Sequence, residues 1–89
     1  MQMDNQQAAP IESLRNLGPK SGQWLRAVGI HTIADLQRIG PVVAYRIMKQ
    51  RQPSTSLNLL WAMAAGLEEM DWRDLGEATK VKLCKEAET

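Results

Sequence analysis

Gly and Pro recur along this chain at intervals too short for any long element: Gly18-Pro19, Gly29, Gly40-Pro41, Pro53 and Gly76 break it into short segments. Proline has no amide to give a helix interior or a central strand, and glycine readily takes left-handed caps, so such positions start or end elements. No intervening segment alternates apolar and polar residues as a half-buried strand would. Apolar residues recur three and four apart instead. The sequence therefore predicts an all-α fold, a compact bundle of five or six short helices.

The segments read in order as follows. The polar, Gln-rich residues 1–10 end at Pro10 and are expected to form a flexible arm, with a single domain over 11–89. Ile11, Leu14 and Leu17 predict a short first helix. Pro19 then opens a second, through Trp24, Leu25 and Val28 to a left-handed cap at Gly29. Thr32 is a strong N-cap with Asp35 three residues on, heading a helix with Ile33, Leu36 and Ile39 on its apolar side. Gly40-Pro41 repeats the stop and restart.

The next helix, about 42–51, is expected to carry Val43 and Ile47 on one side and Arg46 and Lys49 on another. Residues 53–56 read as a turn and cap cluster. Leu57, Leu60, Trp61, Ala64 and Leu67 then make the clearest amphipathic pattern in the chain, with Met63 and Met70 able to widen its face. Asp71 is suited to cap a turn over 72–75. A last helix, about 77–86, is expected to place Val81 and Cys84 on one side, beside Leu83.

With 89 residues, 44% of them hydrophobic and 24% charged, the chain has room for one modest core. Three Trp and no Phe leave a few large rings to supply much of its volume. So small a core leaves little space for a deep substrate cavity. The net charge of +1 hides an asymmetry. Residues 15–51 hold seven Lys and Arg against Asp35 alone, whereas residues 52–89 hold four against seven Asp and Glu. A basic front and an acidic back suit an anionic partner, another protein or a head-to-tail self-contact, or simply an uneven solvated surface. A single Cys excludes an intramolecular disulfide, and no signal peptide or membrane span is visible, so a cytoplasmic location is expected.

The turn at Asn16-Leu17-Gly18-Pro19-Lys20-Ser21 resembles that of helix-hairpin-helix domains, with Asn16 where a first Gly is usual. Asn tolerates the left-handed conformation better than most residues. At a helix start, the amides of Gly18, Lys20 and Ser21 can face an anion, with the Lys20 ammonium and Ser21 hydroxyl beside them. Such a nest suits one backbone phosphate and carries no base information. Arg26, Arg46, Lys49 and Arg51 are the further candidate phosphate contacts, provided that they share a face with Lys20. The competing reading is a compact turn between packed helices, with the 46–51 cluster complementing a helix dipole.

A longer pattern resembles one family. Residues 14–21 as Leu-Arg-Asn-Leu-Gly-Pro-Lys-Ser, then Trp24-Leu25, then 28–36 as Val-Gly-Ile-His-Thr-Ile-Ala-Asp-Leu, are similar to the C-terminal domain of TfoX/Sxy-type regulators of natural DNA transformation. The blocks 56–63 and 71–75 resemble the same family's second half. The resemblance covers about residues 12–87. It implies a bacterial, cytoplasmic, five- or six-helix regulatory domain without catalytic residues or cofactors. Competence regulators of this type usually carry an α+β domain before this one.

His31 has no companion ligand at metal spacing, so no metal site is expected. Cys84 lacks a nearby His and reads as a structural thiol. Trp24 and Trp61 lie among Leu and read as core, leaving Trp72, in a polar turn, as the candidate protein-interface residue. No Ser-His-acid order, carboxylate pair or nucleotide loop is present. The expected partners are a protein, such as a transcription regulator, a second copy of the chain, or DNA bound without sequence preference through the basic face.

Overall fold

The computed structural model describes residues 9–88. Five helices make up the fold: α1 (Pro19–Ala27), α2 (Ile33–Ile39), α3 (Pro41–Arg51), α4 (Leu57–Leu67) and α5 (Glu77–Glu88), with single 3-10 turns at Ile11–Ser13 and Trp72–Asp74. Among the described residues there is no strand, only an isolated bridge between Pro10 and Thr32. The all-α expectation holds. Of the expected arm, residues 1–8 lie outside the described residues. Ala9 and Pro10 are tied down, since the Ala9 carbonyl accepts from the Ile33 amide at 3.0 Å.

Local chemistry explains the boundaries. The end of α1 is a Schellman motif: Gly29 takes φ 93°, its amide bonds the Arg26 carbonyl, and the Ile30 amide reaches back to Leu25. At the start of α2, Thr32 and Asp35 form a reciprocal capping box, and the Asp35 carboxylate also accepts from the His31 amide at 3.0 Å. Those amides, with Arg38, hold the Asp35 carboxyl below its ordinary pKa. Helix α4 ends in a second Schellman motif that the sequence does not advertise, because Glu69 rather than Gly takes the left-handed position (φ 59°).

Three expectations need correction. The first helix is only the 3-10 turn Ile11–Ser13; Leu14 is extended, and Asn16 turns left-handed at φ 77° before a second turn can form. On α3 the buried side chains are Ala44, Tyr45 and Met48, while Val43 is 46% exposed, so the core-facing side is not the expected Val43–Ile47 face. On α4 Leu57 is 38% exposed, and Leu59, Leu60, Ala62, Met63, Ala65 and Gly66 are buried. A helix apolar nearly all round belongs in the middle of a fold, and α4 packs against α3, α5 and the Trp72 turn.

Helix α5 buries no residue fully; Leu83 and Ala87 rest on the core, and Val81 is 48% exposed. Lys80 adds to its hold, with its ammonium 5.0 Å from the Trp61 ring centroid and 5.8 Å from that of Trp72. Gly66 fixes the approach of the N-terminal segment to α4: a Cβ there would sit 2.5 Å from the Arg15 carbonyl oxygen.

Candidate functional site

Asn16 organises a concave surface that draws on both halves of the chain. Its left-handed backbone reverses the chain ahead of α1, and its side chain crosses to the other half. Nδ2 donates to the Met70 carbonyl at 2.9 Å and lies 3.5 Å from that of Ala62; Oδ1 accepts from the Trp72 amide at 3.2 Å. One amide thereby satisfies three backbone groups and sets Trp72 across from the start of α1. The Trp72 turn is further held by Asp71, which accepts from the Arg73 amide at 2.9 Å and from its guanidinium. That pairing pulls the Asp71 carboxyl down to about 2.

On α1, Ser21 and Trp24 stand three residues apart on one face and form one wall of a groove of about 380 Å³. The opposite wall is the α3–α4 linker, with Ser54 and Ser56 at its surface and Thr55 buried behind them. Thr55 locks the linker: its hydroxyl donates to the Gln52 carbonyl at 2.7 Å, and its carbonyl accepts from Lys49 Nζ at 2.9 Å. Leu59 and Ala62 of α4 form part of the lining, and Trp72 joins it. None of the side chains lining the groove is charged.

The residues singled out for phosphate binding divide. Gly18 is exposed at the N-cap of α1 with φ −100°, and no side chain caps that helix. Ser21 faces the groove, and the Lys20 ammonium lies 5.7 Å from the Trp24 ring centroid. Lys49 is drawn to the far wall through Thr55. Arg26 is taken away by Glu12, with Nη2 2.8 Å from Oε1, an exchange that lowers the Glu12 pKa. Arg46 and Arg51 are exposed on α3 with no ion pair among the described residues. His31 is exposed, Cys84 is a half-buried free thiol, and no cluster suited to a metal exists among the described residues.

Trp72, the candidate interface residue, is half-buried and lines the groove. Trp24 packs against the core as expected, yet it also walls the groove. Reading the chain locally missed that second role, along with the Asn16 bridge and the Lys80 clasp. The Ser21–Trp24 spacing was the available signal for the first.

The TfoX C-terminal domain model matches residues 7–87. The chain belongs to the TfoX C-terminal domain family. A crystal structure of an uncharacterized protein from Listeria monocytogenes, in a triclinic form, is similar at TM-score 0.81 and 28% identity, covering 86% of this chain and 88% of that one. Among proteins of curated function, none matches the chain. Several of the stretches that carry the resemblance line the groove: 14–21 and 24–25 supply Asn16, Ser21 and Trp24, 56–63 supplies Asn58, Leu59 and Ala62, and 71–75 supplies Trp72. No helix of the described residues is long and apolar enough to cross a membrane.

Proposed function

We propose that this TfoX C-terminal domain is a non-catalytic regulatory module that acts by binding another protein in transcriptional or competence regulation. One observation carries the reading: the concave surface is an uncharged groove walled by two tryptophans, the kind of surface that protein contacts favour. Of the candidate phosphate ligands, Arg26 is engaged by Glu12. Exposed Arg46 and Arg51 favour a second reading, DNA binding without sequence preference at the helix-hairpin-helix-like turn and the basic face of α3.

Fluorescence anisotropy with a duplex oligonucleotide at low and moderate salt separates the two. Protein contact predicts no binding beyond a weak background even at low salt, with regulated transcript output lost in a chromosomal Trp24→Ala variant that still folds. Micromolar duplex binding that falls steeply with salt and weakens further in Lys20→Glu overturns it.

A further inference from the structure

The groove between α1 and the α3–α4 linker combines features that specify an occupant. Its lining combines hydroxyl and amide groups (Ser21, Ser54, Ser56 and Asn58) with the Trp24 and Trp72 rings and the apolar Leu59 and Ala62. Its volume of about 380 Å³ lies toward the lower end of the range for built binding sites, enough for a short stretch of chain and far too narrow for a duplex.

Three ammonium groups border it. Lys20 lies over Trp24 on one wall, Lys49 binds the Thr55 carbonyl behind the other, and Lys80 lies over Trp72 at the end. Each ammonium keeps donors to spare, because a ring face uses none of them and one carbonyl uses only one. The nearest acid in sequence to a lining ring is Asp71, and Arg73 neutralises it through two hydrogen bonds to the carboxylate. An uncharged interior inside a cationic border complements a ligand with an apolar centre and flanking carboxylates.

We propose that this groove binds an acidic peptide segment of a partner protein, with one apolar side chain set between Trp24 and Trp72 and carboxylates facing Lys20 and Lys49. The proposal rests on the protein-contact reading and adds the chemistry of the partner. A single-stranded nucleic acid would also meet cations and aromatic rings, but Lys20 and Lys80 already cover a face of each wall ring, which leaves less platform for bases to stack on.

The test is an amide and indole NMR titration of the full chain with a blocked ten-residue peptide of Asp and Glu around a central Leu-Phe pair. Two controls accompany it, the same peptide with Asn and Gln in place of the acids, and a ten-nucleotide oligothymidine. The expected result is saturable shifts confined to Ser21, Trp24, Asn58, Trp72 and their neighbours. Binding should weaken about tenfold or more for the uncharged peptide and in Trp24→Ala. Because Trp24 also packs on the core, Ser54→Glu supplies a variant at an exposed lining position; it should weaken the acidic peptide several-fold while leaving the fold's spectrum unchanged.

Overturning results are no saturable shift at millimolar peptide, equal binding of the uncharged peptide, tighter binding of oligothymidine, or concentration-dependent shifts at these residues without peptide, which would assign the groove to a second copy. If the peptide fails and duplex DNA also fails to bind, the groove proposal falls and the protein-contact reading stands. Duplex binding overturns the reading itself.

Discussion

Two Gly-Pro turns with nearly the same sequence, Leu17-Gly18-Pro19 and Ile39-Gly40-Pro41, do different work. Each sets Pro at the first position of a helix, where its missing amide costs nothing. At the second turn Gly40 itself takes a backbone conformation nearly reserved for glycine, with φ 90° and ψ 151°, and it serves as C-cap of α2 and N-cap of α3 at once. At the first turn Gly18 is extended (φ −100°), and the left-handed residue is Asn16, two positions earlier. A reversal built on glycine alone carries no side chain with which to hold anything else. A reversal built on Asn also reaches across the molecule, here to Met70 and Trp72, and so turns a local bend into one end of a groove.

The strongest way to break this contrast is Asn16→Ala. It forces a left-handed backbone on Ala and leaves the Met70 carbonyl and Trp72 amide without a partner, so a loss of about 2–4 kcal/mol is expected in urea unfolding. Asn16→Gly restores the backbone freedom but not the bonds, and should recover about 1 kcal/mol of it. If the two variants were equally unstable, the left-handed backbone would contribute nothing.

Gly40→Ala should cost about 1–3 kcal/mol, since its backbone lies in a region that is nearly glycine's own, although the space for a Cβ is empty. Gly18→Ala should change stability by less than about 1 kcal/mol, because its backbone suits any residue, nothing lies within 4 Å of the added methyl, and the poorer N-cap preference of Ala offsets the stiffer unfolded chain. A large loss at Gly18 would mean that the two turns are alike after all.

The smallest effect is the acid response of the Asn16 side. The folded Asp71 carboxyl, at about 2, lies below its ordinary value of 3.8. The bonds it makes are therefore complete above about pH 4 and lost as pH falls through about 2. A carboxyl NMR titration with its midpoint near 4 would show that the Arg73 pairing does not hold in solution.

Much of the fold was legible because it depends on neighbours in sequence. The Thr32–Asp35 box, the Gly29 cap, the Gly40-Pro41 restart and the Asp71 turn each involve residues within a few positions of one another, so residue type alone specifies them. The faces of α3 and α4 were not legible. Both helices are apolar on more than one side, and which side is buried depends on what lies across from it. Val43 and Leu57 look like core and are exposed, while Ala44 and Ala62 look indifferent and are buried. Nor could the candidate cations be sorted, since a Lys or Arg reads the same in sequence whether it is exposed like Arg46 or paired like Arg26.

By itself, then, the sequence determined α1 to α5, the helix ends marked by Gly, Pro or a capping side chain, and the family, through capping, proline placement and short-range periodicity. It also placed an Asn where the chain must turn left-handed. Tertiary structure alone decided what that Asn is for. Hydrogen bonds spanning 54 and 56 residues, from Asn16 to Met70 and Trp72, exist only once α4 has carried those backbone groups alongside the turn. No local rule anticipates such a pairing, because the free energy that selects it comes from burying α4 rather than from any preference of Asn16.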